Sequence, residues 1–436
     1  MNRLNAWFSL DRHGTTLSRE VIAGLTTFAT MSYIVVVNPA ILSAAGIPEG
    51  PSFVATVLVA VLGCYFMAFY ANRPFAIAPF MGENAFIAFT VCKVLGFHWQ
   101  TALAAIFIAG LTFVVMTVLG LWRWIVDGVP TVLRYSFAVG IGLFLTFIGL
   151  NETGLVKLGV SGAPVQAGNL TSHSALVAML GFVLIAILMI RKVPGAILLG
   201  IIITALVAFL AGTAAPPHGI VSMPPSVAPI VWQLDFRGAF TWRAFPIVLT
   251  IFIMAFVDTM GTLIGLSARA GFLDENGQLP QIERPILAAA LSTSIAPALG
   301  TTTAGAYVES ATGIEAGGRT GFTALVTGTC FLLTLVFSPF VGAIPPQAFG
   351  PALIIVGLFM LAPITHVNFA DYTESIPAFA VVVLMAFTFN IAIGICAGFV
   401  LYPICKVVAG KTKELKPGLW VLTALSLLFF IFYPYS

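Results

Sequence analysis

Arg73-Pro74-Phe75-Ala76-Ile77-Ala78-Pro79-Phe80-Met81-Gly82-Glu83-Asn84-Ala85-Phe86 is an apolar stretch whose own residues forbid one continuous helix. Each proline removes a backbone donor and crowds the turn before it, so the stretch reads as extended chain leading into a short helix. A second stretch repeats the pattern: Gly300-Thr301-Thr302-Thr303-Ala304-Gly305-Ala306-Tyr307-Val308-Glu309-Ser310-Ala311-Thr312-Gly313. Its threonine and glycine run disfavours helix. Broken backbone survives at membrane depth only where protein or a water-filled cavity satisfies its polar groups. Two interrupted segments at matching places in two halves point to a substrate site.

That reading requires a membrane protein, and the rest of the chain demands one. Of 436 residues 59% are hydrophobic and only 8% charged, with mean hydropathy +1.05. A soluble domain carries about 25% charged residues, so this chain cannot coat a water-facing surface. Apolar runs near 20 residues recur from Val21 to Tyr433, each long enough to cross a hydrocarbon core of about 30 Å. Their continuity favours helices over the short alternating segments of a barrel. Met1 to Arg19, with Asp11, Arg12 and His13, lacks the apolar core of a cleavable signal, so the first helix is expected to act as the insertion signal.

Helices are expected over 20–42, 53–71, 82–95, 100–122, 131–150, 174–190 and 194–212. After the proline-rich link Gly212 to Arg243, a second series is expected over 244–268, 283–299, 309–317, 320–341, 348–362, 376–389 and 391–409. A last apolar stretch, 419–433, either crosses the membrane or lies in its interface. Arg3, Arg12, Arg19, Arg73, Arg123, Arg134, Arg191, Lys192, Arg269, Arg284, Arg319 and the run Lys406 to Lys416 fall on one side if every segment crosses. The positive-inside rule makes that side, and the amino terminus, cytoplasmic. Lys93, Lys157, Arg237 and Arg243 are the exceptions. Seven crossings per series invert the second half against the first, the arithmetic of an inverted repeat.

Three acids stand within the apolar segments: Glu83, Asp258 and Glu309, the other carboxylates being read as loop residues. A carboxylate at the bilayer centre costs a few kcal/mol, which makes each a functional candidate. The competing reading is a neutral side chain hydrogen-bonded to backbone. With no buried Lys or Arg beside them, they are suited to hold and release a proton, or to accept two adjacent N–H donors of a flat heterocycle. Half-helix amino termini add backbone donors. Asn84, Thr26, Thr27, Thr30, Thr259, Thr262 and Tyr307 supply neutral polar groups, though any single one is as readily a helix-packing hydrogen bond. Phe80 and Phe86 can stack on a ring, against a lipid- or core-facing alternative among 37 Phe. The five cysteines lack CxxC spacing and read as packing residues. The histidines fall at ends or loops, so no metal or other cofactor is expected. Arg319-Thr320 after Gly317-Gly318 reads as a tight turn, structural or gating. No phosphate-binding loop appears, so ATP-driven pumping is not expected, nor is nucleic-acid binding.

At these residues the chain resembles the AzgA-like purine permeases of the nucleobase/ascorbate transporter family. The resemblance rests on His13-Gly14-Thr15, Ala23-Gly24-Leu25-Thr26-Thr27-Phe28, Val37-Asn38-Pro39, Ala78-Pro79 and Met81-Gly82. It continues in Asn84-Ala85-Phe86, Asp258-Thr259, Gly261-Thr262-Leu263, Tyr307-Val308-Glu309-Ser310 and Gly317 to Gly321, spanning nearly the whole chain. It implies an all-α polytopic fold of seven plus seven inverted helices, like the uracil permeases. It further implies an amino-terminal segment (1–19), a core domain (20–122 and 244–341) and a gate domain (131–212 and 348–409). A basic turn with the extra apolar segment (410–436) closes the chain. Asp258 and Glu309 match the family's substrate-binding acids, Tyr307 a residue whose backbone helps hold the base, and Asn84 its polar residue on the third helix. Phe80, Glu83, Thr262 and Thr30 complete the expected substrate site, and Glu83, Asp258 and Glu309 the proton-coupling set.

Two departures stand out. Relatives usually carry an apolar residue at the position of Glu83, and many carry a further acid at the position of Ala255. One acid is lost and another gained on segments expected to be neighbours, so Glu83 is expected to take over a proton-handling or polar anchoring role. The expected activity is import of a purine base across the inner membrane with proton entry, guanine or hypoxanthine before adenine. A homodimer through the gate domain is a further implication. Rival readings are a pyrimidine or anion carrier on the same fold and an uncoupled facilitator or channel. An intramembrane enzyme is disfavoured, because no His pairs with Ser or Cys at membrane depth.

Overall fold

The computed structural model describes residues 7–123, 128–160, 163–217, 219–273 and 279–432. Arg3, His218, loop residues 274–278 and the chain end from Tyr433 lie outside the described residues. The first apolar run, expected as one helix, folds as α1 (Leu17–Met31) and α2 (Ile34–Ser43), with a break at Ser32–Tyr33. Pro39 lies inside α2, and its ring loosens the turn before it. Next come α3 (Glu49–Phe66), β1 (Ile77–Pro79), α4 (Met81–Ala85) and α5 (Trp99–Val118). Wide π-turns extend α3 over Met67–Ala71 and α4 over Phe86–Val94. The first half ends with α6 (Thr131–Glu152), β2 (Val156–Val160), β3 (Ala163–Ala167), α7 (His173–Ile190) and α8 (Ala196–Leu210).

A short helix α9 (Phe236–Ala239) precedes α10 (Phe245–Ala270) and α11 (Glu283–Ile295). Then follow β4 (Ala304–Ala306), α12 (Ser310–Glu315), α13 (Gly321–Leu333) and α14 (Ser338–Gly342). The chain closes with α15 (Pro346–Leu361), α16 (Tyr372–Phe387), α17 (Ile391–Val408) and α18 (Pro417–Phe432). Among the described residues nine helical stretches are long and apolar enough to cross a membrane. Shorter apolar helices, α8, α16 and α18, stand beside them. α16 begins four residues before its expected start because Asp371 caps it, accepting the Thr373 N–H at 2.8 Å. The hairpin β2–β3 has no counterpart in the sequence reading; five-residue strands flanked by polar turns carry too little periodicity to stand out.

The helices pack in two groups. In one, α13 lies against α1 and α3, α5 against α10 and α11, and α12 against α1. In the other, α15 lies against α6 and α7, α16 against α6 and α17, and α8 against α7. Matching each segment with the one seven places later makes these contacts repeat. The α1–α13 contact maps onto α10–α5, α3–α13 onto α11–α5, α6–α16 onto α15–α7, and α7–α8 onto α16–α17. The repeated contacts show two equivalent halves, and seven segments in each half invert the second against the first. The extra helix α18 packs on α17 and α10.

Glu20, which the sequence reading leaves among the loop carboxylates, lies in the first turn of α1 and is wholly buried. Its Oε1 accepts the Arg319 N–H at 2.8 Å; its Oε2 accepts the Thr320 hydroxyl at 2.9 Å and the Thr323 hydroxyl at 2.6 Å. The Thr320 and Thr323 N–H groups, at 3.3 and 3.2 Å, complete the set. These are the orphan donors of the α13 amino terminus, where a negative charge is favoured. Arg319 meanwhile donates through Nη1 to the carbonyls of Ile314 and Gly318 at 2.7 and 2.8 Å, closing the carboxyl end of α12. Its turn is thus a junction of three helices.

Candidate functional site

The two interrupted segments meet. β1 and β4 pair antiparallel, with Ile77 opposite Ala306, Ala78 opposite Gly305 and Pro79 opposite Ala304. The ladder continues through the Phe80 N–H to the Thr303 carbonyl at 3.0 Å and the Tyr307 N–H to the Ala76 carbonyl at 2.9 Å. Proline survives in this pair because each strand has only one partner and the Pro79 nitrogen has no bond to make. The Cys64 thiol holds β1 to α3 through the Ile77 backbone. Both strands run directly into the half-helices α4 and α12, so two helix amino termini face each other across the crossing.

Equivalent positions of the two halves carry Phe80 and Tyr307, whose rings lie 6.3 Å apart and within 11° of parallel. The Tyr307 hydroxyl donates to the Pro79 carbonyl, fixing that ring. A Cβ at Gly305 would enter the Phe80 ring and touch the Thr259 hydroxyl, so only glycine fits beneath the aromatic pair.

The three acids converge here from different elements. Glu309 is half-buried at the start of α12, where its Oε1 accepts the Tyr33 hydroxyl at 2.7 Å. Tyr33 sits at the α1–α2 break and is a site residue the sequence reading missed. An isolated tyrosine in an apolar helix signals nothing until the break aims it. Ser310 was also missed as a side-chain partner; its hydroxyl accepts the Ala76 N–H at 2.9 Å. Glu83 is wholly buried in α4, and neither carboxyl oxygen has a hydrogen-bond partner. Asp258 is half-buried on α10 and close enough to Glu83 for their charges to interact. Tyr307 lies within electrostatic reach of both Glu83 and Glu309. Among the described residues the ion pairs join Arg123–Glu283, Arg269–Glu315, Lys406–Glu374, Lys406–Glu414 and Lys411–Asp371, and none includes a site acid.

The remaining expected residues divide. Asn84 turns its amide N–H to the Asn38 oxygen, while Asn38 donates to the Thr56 and Thr301 hydroxyls at 2.6 and 3.1 Å. The oxygen of Asn84 itself has no partner. Thr30 reaches α12 through the Thr312 hydroxyl at 3.0 Å, one turn from Glu309. Thr26 donates within α1 to the Ile22 carbonyl at 2.8 Å. Thr262 shares with Asp258 a stripe of α10 at helical spacing that continues through Gly261, Gly265 and Ala268. Gly261, Gly265 and Ala268 are exposed, and a Cβ at either glycine would meet nothing within 4 Å. Val308, 60% exposed just before α12, and Thr312 on α12 form the facing stripe. Arg269 at one end bonds Glu315 at 2.8 Å, joining the two stripes at their outer edge. Phe86 is buried outside this opening.

Beyond the other end of the site, between the two helix groups, lies a cavity of about 440 Å³ lined by Val36, Glu49, Phe53, Glu152, Ser338 and Phe349. Among the described residues no three His, Cys, Asp or Glu side chains converge as metal ligands.

An inverted repeat whose two half-helices meet beside acids and aromatics defines a membrane transport protein of the seven-plus-seven class. Solved structures share that fold. The transmembrane domain of the cyanobacterial bicarbonate transporter BicA matches with TM-score 0.66 at 16% identity, over 86% of this chain and 97% of that one. Murine Slc26a9, an anion transporter in the inward-facing state, matches with TM-score 0.63 at 13% identity, over 91% and 69%. The chain belongs to the Permease family (Xan_ur_permease), the nucleobase/ascorbate transporters, whose profile matches residues 18–397. It is similar to the adenine permease AdeP of Escherichia coli K12, 40% identical over 98% of this chain and 95% of that protein. It is also similar to the guanine/hypoxanthine permease PbuG of Bacillus subtilis, 38% identical over 98% and 100%. It is a multi-pass membrane permease, not an enzyme.

Proposed function

We propose that this permease imports purine bases, guanine and hypoxanthine ahead of adenine, by proton symport. The observation that carries this reading is the gathering of Glu83, Asp258 and Glu309 around Tyr307, whose ring lies parallel to that of Phe80, with no Lys or Arg ion pair to any of the three among the described residues. A flat heterocycle stacks on such rings. Guanine and hypoxanthine offer an N–H beside a carbonyl, the N–H for the Glu309 carboxylate and the carbonyl for the backbone donors at a half-helix amino terminus. AdeP is named for adenine and PbuG for guanine and hypoxanthine at nearly equal identity, so the order among purines rests on this donor–acceptor argument. Carboxylates at Asp258 and Glu309 beside one site would repel an anion, which sets this reading apart from the bicarbonate and anion transporters that share the fold.

Glu83, Asp258 and Glu309 are the proposed proton-coupling residues, and Phe80, Asn84, Thr262, Tyr307 and Thr30 complete the substrate site. The core, 20–122 and 244–341, moves against the gate, 131–212 and 348–409, carrying the site from the 440 Å³ cavity side to the stripe side. The proposed location is the inner membrane, and the positive-inside rule supports a cytoplasmic amino terminus.

The test is uptake of labelled hypoxanthine in bacteria lacking their own purine permeases. Unlabelled guanine, adenine, xanthine and uracil serve as competitors, with and without a protonophore. Saturable, protonophore-sensitive uptake blocked by guanine is the expected result. Uptake that never exceeds the outside concentration would establish an uncoupled facilitator instead.

A further inference from the structure

The two half-helices differ in where they carry their acids. Counting from the equivalent aromatics, Glu309 is the second residue after Tyr307, and Gly82 holds that place after Phe80. Glu83 is the third, and Ser310 holds that place in α12. One residue on a helix is a rotation of about 100°, so the acids face different ways. Glu309 turns to the open side and is held by Tyr33. Glu83 turns inward, as its counterpart Ser310 does toward Ala76.

From this asymmetry we propose that substrate recognition and proton storage are separate: Glu309 takes the substrate, while Glu83 is a buried proton store filled through Asp258. Both Glu83 oxygens are sealed from solvent and unpartnered. An isolated charge there costs far more than a neutral acid, so this conformation holds Glu83 with its proton on. Among the described residues no Lys or Arg pairs with it. Asp258 comes from α10, Tyr307 from the β4–α12 junction, Asn38 from α2 by way of Asn84, and α6 presents Ile141 against Gly82. Asp258 by contrast is half-buried at the head of the stripe formed by Gly261, Gly265 and Ala268. That stripe needs glycine for no packing reason, since a Cβ would meet nothing; its use is an open path to Asp258. A hydronium ion in the path gives its proton to the Asp258 carboxylate and leaves as water. Asp258 then passes the proton to the Glu83 carboxylate and is regenerated as a carboxylate, with no other bond changed.

The transport arm of the test rests on the purine-carrier reading; the spectroscopic arm does not. Infrared difference spectra of the purified full chain in liposomes, taken between acidic and alkaline pH without substrate, are expected to show a protonated carboxyl C=O band. E83Q removes one component of it, and D258N keeps that component but slows its appearance at least tenfold after a pH jump. A band unchanged in E83Q overturns the proposal whatever the substrate. In transport, E83Q lowers the ratio of net purine accumulation to purine exchange by about tenfold, whereas E309Q weakens both together. Adding an acid at Ala255, one turn from Asp258, is expected to restore that ratio in the E83Q/A255D double variant. Restoration also separates proton storage from a merely structural role. E83Q accumulating purine with the wild-type pH dependence would equally sink the idea.

Discussion

The Tyr33 hydroxyl donates to the Glu309 carboxyl at 2.7 Å, joining residues 276 positions apart. The bond exists because the first apolar run breaks at Ser32–Tyr33 and the tenth segment begins its half-helix at the same depth. Hydrogen bonds to charged groups contribute about 1.5–3 kcal/mol. Y33F is therefore expected to lower purine uptake efficiency by about tenfold or more, mostly through a higher KM, since Glu309 loses its orientation. Initial-rate uptake kinetics decide; an unchanged KM would remove Tyr33 from the site.

Gly305 and Gly261 make a matched pair of substitutions. At Gly305 an added methyl collides with the Phe80 ring and the Thr259 hydroxyl, and overpacking of this kind costs about 1–3 kcal/mol. G305A is expected to melt earlier in detergent and to lose uptake. G261A adds its methyl to open space and is expected to gain up to about 1 kcal/mol from helix propensity. Equal melting temperatures for the two variants would contradict the arrangement at the crossing.

Glu20 serves five donors at the α12–α13 turn. Its replacement by Ala strands those donors in a buried site, and a loss of at least about 3 kcal/mol is expected. E20Q keeps one acceptor oxygen and should lose less. Thermal unfolding of the solubilised protein reads both, and E20A as stable as wild type would refute the anchoring role.

Outside the membrane segments, Asp371 is held well below the usual carboxylate range. The causes are the Lys411 ammonium that donates to it, then the Thr373 hydroxyl and N–H. A carboxylate depressed in the folded state adds stability above its unfolded pKa of about 3.9 and loses it as pH falls through the folded value. D371N is expected to melt below wild type at about pH 7 and to converge with it in strong acid. A difference between the two that does not change with pH would count against the pair.

The broken third and tenth segments were legible because Pro74, Pro79 and the Gly300–Thr303 run forbid continuous helix by local sterics. The acids Glu83, Asp258 and Glu309 were legible because charge is costly in an apolar run. Tyr33, Ser310 and Glu20 were not. Their roles depend on partners from the other half of the chain, and nothing local tells a tyrosine, a serine or a surface-like glutamate that bonds such a partner from one that does not.

By itself, then, the sequence determined the membrane class, the count and inversion of the segments, and which acids sit at depth. Those follow from hydropathy, steric exclusion and desolvation, all of which act within a few residues. Only the tertiary structure decided that β1 and β4 pair, that Phe80 and Tyr307 lie parallel, and that Glu83 is sealed while Glu309 faces the opening. Rotation about a helix axis relative to a distant partner is a long-range property. One residue of offset between the two half-helices turns a binding carboxylate into a buried one.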